Sequence, residues 1–349
     1  MSGKTSSYPD NAANSRFYVI CLLLLLAATH CVISSFYVNF SYLELTAYAY
    51  GHEKNPYQER IGMMPVLRAA HDSNLVQHVS AKLRHVFAAH PHSAFKDISS
   101  EEVANMVVAL ACVWLLVFFS AWYGRRNFGR LWWMPAALMI VMLYITQAAR
   151  YETTVWYPYD FPHILLFGVA SILILEGWWQ MAFVLYLADI PFRETSIFLA
   201  GIVAAVSFGR RQCKQAIVIP LAMFGFWLLF CIGVHHWFQH NLSEIGIHLQ
   251  AKKQAILNPV HWPQVMSAFG FLLIPLLIGR HYLSRELRFF MLGALPGIIV
   301  TLVFGVWMET RIFSEWIPVA AVLLTIEFSR FLQIEYGKEA VEAKVFAVL

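Results

Sequence analysis

Long apolar runs, each ended by a short charged connection, recur along almost the whole chain. The first extends from Phe17 to about Phe36. Others fall near 104–123, 131–148, 161–176, 177–190, 195–209, 216–234, 265–279, 289–307 and 312–329. A run near twenty apolar residues matches one helical crossing of a bilayer. The pattern therefore predicts an all-α, polytopic integral membrane protein with about ten transmembrane helices. The three runs between 161 and 209 are short. Helices of about 14–16 residues rise only about 21–24 Å against a hydrocarbon core of roughly 30 Å. They are expected to be thin, kinked or partly re-entrant.

The first long polar segment, 37–103, carries its own pattern. Leu75, Val76, Val79, Leu83, Val86 and Phe87 recur at helical spacing, with His78, Lys82 and His85 on the other face. An amphipathic helix over Asn74–Phe87, lying on the membrane surface, is expected. Tyr42–Tyr50 also reads as helix, and Pro56 and Pro65 break the chain on either side of Glu59 and Arg60. A second loop covers 235–264. No internal repeat divides the chain, so 1–349 reads as one transmembrane domain with 37–103 as an extracytoplasmic loop bearing juxtamembrane helices.

Composition agrees with the pattern. The chain is 59% hydrophobic and 13% charged, and soluble domains carry about 25% charged residues. The formal charge of +4 is spread over short loops, so nothing suggests a nucleic-acid groove. The basic clusters Arg125-Arg126-Arg130, Arg210-Arg211-Lys214 and Arg280-Arg285-Arg288 fall on one side of a ten-span topology, with both termini. By the positive-inside rule that side is cytoplasmic. The five cysteines contain no CxxC pair, which argues against disulfides and a zinc site. The first run reads as an uncleaved signal anchor. Walker, GxGxxG, GxSxG and HExxH motifs are absent.

The other side gathers acid and base in each short connection. Arg150 lies near Glu152 and Asp160, Asp189 near Arg193 and Glu194, and Glu309 near Arg311 and Glu315. Ionisable groups at the membrane edge face a cavity or each other. A polar chamber opening outward is expected. Arg60, Arg150, Arg193 and Arg311 are candidates for phosphate contact, because a guanidinium fork matches phosphate oxygens. The alternative for each is a network of ion pairs holding helix ends. Asp160 either binds a sugar hydroxyl, with Trp156, Tyr157 and Tyr159 stacking on the ring, or caps a helix starting at Phe161. Tyr57 is a further candidate for substrate contact, and Asp189, Glu194, Glu309 and Glu315 are expected in support. His235-His236, His240, His90 and His92 lack a carboxylate or cysteine at ligand spacing. No metal site is assigned, and a divalent ion stays open as an alternative.

The stretches PYQERIGMMP, YPYDFPHILLF, FRETSIFL and METRIFSEWIP, with one helix preceding a first loop of acids and surface helices, resemble GT-C-type glycosyltransferases of bacterial membranes. The resemblance implies transfer of a sugar from a polyprenyl-phosphate donor to a lipid-linked or surface glycan at the periplasmic face of the inner membrane, or joining of lipid-linked repeat units. It implies no organic cofactor. It places an acidic catalytic residue early in the first loop, where Glu44 stands, with Glu59 and Asp160 next. The usual paired acids are replaced by Glu44, Glu53 and Glu59 singly. The expected partners are the lipid-linked sugar, the glycan acceptor and membrane lipids. The rivals are a transporter or flippase for such a solute, and a structural subunit of an envelope complex.

Overall fold

The computed structural model describes residues 11–90, 93–148, 155–244, 249–277, 279–307 and 309–348. Arg150 and Glu152 lie outside the described residues. The chain is almost wholly helical. Its α-helices are α1 (Asn11–Val38), α2 (Leu45–Tyr50), α3 (Met64–Asp72), α4 (Asn74–Phe87), α5 (Ser100–Asn127), α6 (Met134–Leu143), α7 (Asp160–Glu176), α8 (Trp179–Asp189), α9 (Phe198–Gly209), α10 (Cys213–Trp237), α11 (Leu249–Leu257), α12 (Trp262–Leu277), α13 (Arg285–Phe304) and α14 (Ile317–Val348). Two short strands, β1 (Phe40–Ser41) and β2 (Val155–Trp156), pair in parallel.

Each expected apolar run is helical, but the ten do not share one length. Among the described residues, six helical segments are long and apolar enough to cross a membrane: Ser15–Val38, Ser100–Asn127, Gly129–Ala148, Cys213–Trp237, Arg285–Phe304 and Thr310–Ile334. The others are shorter: α7 has 17 residues, α8 has 11, α9 has 12 and α12 has 16. About ten spans are therefore not confirmed: by length and composition, six stand among the described residues. The physical reason lies in the sequence between 160 and 209. Gly177, at φ 82°, ends α7 with its amide on Ile174 O, and Trp178 N reaches Leu173 O. This left-handed cap turns the chain straight back into α8. The α8 helix then stops at Asp189, and Pro191 follows.

The termini of the helices fall into two sets. At one end the loops expected to share a side do meet. The first loop joins the segment before α7 through β1–β2, and joins the loop after α10 through Asn55–Ser243 and a 2.8 Å Lys54–Glu244 ion pair. Gly62 N donates to Pro191 O at 2.8 Å. At the other end Arg126 lies 3.6 Å from Glu176, Arg210 pairs with Glu286 at 2.9 Å, and Arg330 donates to Tyr282 O.

The first loop folds onto the bundle by local rules. Ser99 and Glu102 form a reciprocal capping box that starts α5. Next to it, buried Glu101 accepts from Thr46 at 3.1 Å and meets His71 at 2.7 Å. The α4 helix covers the expected span, with Leu75 and Val86 exposed. Tyr42–Tyr50 is helical only from Leu45, because Glu44 caps α2. Elsewhere, α9 and α13 touch through glycines. A Cβ on Gly293 would stand 2.7 Å from Gly201 O, so only small residues allow the approach.

Candidate functional site

At the loop-bearing end the structure encloses a cavity of about 760 Å³. One part of its wall is polar: Tyr42, Tyr57, Glu59, Arg60, Tyr157, Arg193, Glu194, Glu244, Glu309 and Arg311. The other is apolar, built from Ile197 and Phe198 at the start of α9, Trp227, Phe230 and Val234 of α10, and Val300 and Phe304 of α13. Three arginines far apart in sequence therefore share one space. Their surroundings differ.

Arg60 is fully engaged. Nε and Nη2 donate to the two Glu194 oxygens at 2.8 and 2.5 Å, and Nη1 donates to Tyr159 OH at 2.7 Å. Its guanidinium also lies 4.8 Å from the Tyr159 ring centroid. Burial disfavours the Arg60 charge, but Glu194 and Tyr159 outweigh it and raise its pKa well above the ordinary value. Tyr48 OH donates to the Arg60 carbonyl. Arg311 is similarly tied. It is buried, pairs with Glu309 at 2.5 Å and Asp160 at 3.4 Å, and lies 3.8 Å above the Tyr157 ring.

Arg193 is different. Its buried Nε, like that of Arg311, finds no hydrogen-bond partner among the described residues, but its contact with Glu315 is 3.5 Å long, beyond normal hydrogen-bond range, where Arg311 is held by Glu309 at 2.5 Å. Of the three arginines it keeps the most donor capacity for a ligand.

The carboxylates divide in the same way. Glu194, Glu244 and Glu309 are each bonded to Arg60, Lys54 and Arg311 respectively. Glu59 instead meets an imidazole, His235 Nδ1, at 2.8 Å. Glu59 and Arg60 thus turn to different partners, one on α10 and one before α9. Tyr42, Tyr57 and Tyr157 pack with ring centroids 5.4 Å apart in each pairing. Burial, followed by the neighbouring Tyr57 and Glu244, pushes the Tyr42 phenol up to about 12. It remains a protonated donor, 3.3 Å from Glu244.

Several expected residues stand elsewhere. Glu44 is not brought to the cavity. Its carboxylate accepts from Thr46 N at 3.2 Å and Ala47 N at 2.6 Å, as the cap of α2. Asp160 is the first residue of α7, and its carboxylate goes to Arg311 rather than capping a helix at Phe161. Trp156 is buried against Phe36, and its indole donates to Asn39 O at 3.1 Å. Tyr159 is buried beneath Arg60 and does not line the cavity. Asp189 and Glu315 lie behind the wall, around His163. No group of three or more His, Cys, Asp or Glu side chains among the described residues is placed to hold a metal ion.

His163 was not singled out by sequence. It sits in an apolar run, and its partners are 26 and 152 residues away. The one available signal is Asp160-x-x-His163, a spacing that puts both near the same face at the start of α7.

No family model matches the chain, and neither a curated protein nor a solved structure matches it significantly.

Proposed function

We propose that the chain is a membrane glycosyltransferase of GT-C-like type. It takes a polyprenyl-phosphate sugar into this cavity and moves the sugar to a lipid-linked or surface glycan. The observation that carries the reading is Arg193, a cavity arginine with donors to spare, beside an apolar wall from α9, α10 and α13. A phosphate suits the guanidinium, and a polyprenyl tail suits the apolar wall.

In this reading the acceptor hydroxyl attacks the anomeric carbon. The bond from that carbon to the phosphate oxygen breaks, and the polyprenyl phosphate leaves with the electron pair. Glu59 takes the hydroxyl proton, and His235 holds the carboxylate in place. Arg193 receives the charge developing on the phosphate. Tyr42, Tyr57 and Tyr157 form a platform for the sugar. In this reading the helices lie in the inner membrane of a bacterium, with the cavity on the periplasmic side and both termini in the cytoplasm.

The test is turnover by purified protein in lipid nanodiscs, offered a panel of polyprenyl-phosphate sugars. Release of polyprenyl phosphate with transfer of the sugar is expected. Neither transfer nor binding across the panel would sink the reading.

A second reading, a transporter or flippase for the same solute, is favoured by one observation. His163, Asp189 and Glu315 form an ionisable cluster buried among helices, as transport pathways require. It predicts movement of the lipid between leaflets with its sugar intact.

A further inference from the structure

Behind the cavity wall lies a cluster that the proposed chemistry does not use. His163 stands at the first turn of α7 and has no exposed surface. Its Nδ1 is 2.8 Å from Asp189 Oδ1, at the end of α8, and its Nε2 is 2.7 Å from Glu315 Oε2, just before α14. These are lengths of charge-assisted hydrogen bonds. A ring nitrogen facing a carboxylate on each side donates on each side, so the imidazole carries both protons and a positive charge.

Glu315 Oε2 has two further neighbours. Thr195 Oγ1 donates to it at 2.7 Å, and Arg193 Nη1 stands 3.5 Å away. Thr195 and Arg193 both line the cavity. The cluster therefore runs from the cavity inward: Arg193 and Thr195, then Glu315, then His163, then Asp189. Charges alternate along it. Each inner member is fully buried, and a buried charge left without its partner is strongly destabilising. The position of each group is fixed by the next.

A nucleophile triad fits the same distances less well. Thr195 Oγ1 is 3.1 Å from His163 Nε2, which is bonded in turn to Asp189. But Glu315 lies closer to that nitrogen, at 2.7 Å, and accepts the Thr195 proton as well. The imidazole has no free lone pair with which to activate Thr195. The cluster is arranged to hold groups, not to generate a nucleophile.

We infer that His163 is a positioning residue for anion binding: it fixes Glu315, and through Glu315 it aims Arg193 at the phosphate of the ligand. The inference rests on the cavity being a lipid-phosphate site. A free arginine side chain has many rotamers to lose on ordering. Glu315 reduces that freedom from a distance too long to use up the guanidinium donors. Arg60 and Arg311, bonded at 2.5–2.8 Å to Glu194 and Glu309 respectively, serve as braces instead.

The test compares farnesyl phosphate with farnesol, which share a tail and differ in the phosphate. Affinities for purified protein in detergent are measured by thermophoresis, and folding by thermal unfolding. Wild type should prefer the phosphate by at least about tenfold, or 1.4 kcal/mol. If it does not, the reading of the cavity fails, whatever the variants do. Arg193→Ala should abolish the preference. His163→Gln should cut it about tenfold, as expected on releasing a charge-assisted contact, and should have no further effect in the Arg193→Ala background. Asp189→Asn, which keeps an acceptor for Nδ1 of His163, should cut it about threefold and carries the test if His163→Gln does not fold. With a wild-type preference in hand, the inference is overturned if the folded variants retain it in full, or if they weaken binding equally in the Arg193→Ala background.

Discussion

Arg60 grips Glu194 with two nitrogens, at 2.8 and 2.5 Å, and so ties the first loop to the connection between α8 and α9. These residues are 134 positions apart. The pair answers why a carboxylate and a guanidinium stand side by side at Glu59–Arg60. They serve two different neighbours, and together they close one side of the cavity.

Arg60→Lys loses the fork and the contact to Tyr159 while keeping the charge. Glu194 is partly exposed, at 44% of its side chain, so solvent screens the pair. A loss of about 1–2 kcal/mol is expected, seen as a lower unfolding temperature in detergent. An unchanged temperature would mean that the loop is held by other contacts.

Glu59 and Glu44 should separate cleanly. Glu59→Gln is expected to lower the transfer rate by about 100-fold or more, the range of general base catalysis, with the fold intact. Glu44→Ala should leave the rate near wild type and cost about 1 kcal/mol through loss of the α2 cap. Initial rates and unfolding curves on the two variants check both. Loss of transfer in Glu44→Ala with normal folding would restore Glu44 as the base.

Legibility in the sequence followed the range of the interactions. The helices were legible, because each depends on an apolar run and local stops such as Gly177 and Pro191. The shared side of the acid–base connections was legible too, through the positive-inside pattern. Membrane length was legible in part. The runs between 161 and 209 read as short, and a left-handed cap at Gly177 and a proline at Pro191 cut them into pieces too short to be counted as spans. The arginines Arg60, Arg193 and Arg311 could be named as candidates, but their division into two braces and one open donor could not. That division depends on partners up to 151 residues away. Glu44 is the opposite case. Its position in the loop suggests chemistry, yet its nearest acceptable donors are the amides two and three residues ahead.

Gly293→Leu places a side chain against the α9 backbone, where a Cβ alone would come within 2.7 Å of Gly201 O. Overpacking of this kind costs about 1–3 kcal/mol. A reduced unfolding temperature is expected, and Gly293→Ala should lie between it and wild type. Wild-type stability of Gly293→Leu would mean that the two helices are free to separate.

Val300 and Phe304 form part of the apolar wall on α13. Val300→Trp fills space there without touching an arginine. It should weaken binding of farnesyl phosphate about tenfold and leave inorganic phosphate binding unchanged. Equal loss of both ligands would contradict a separate place for the tail.

The most direct test of the central claim is a glycolipid and surface-glycan profile of the native host by mass spectrometry. Three strains are compared: a deletion, the deletion carrying the wild-type gene, and the deletion carrying Glu59→Gln at matched protein abundance. The account predicts that one defined sugar disappears in the deletion, returns with wild type and stays absent with Glu59→Gln. A deletion strain whose glycans are all intact would contradict it.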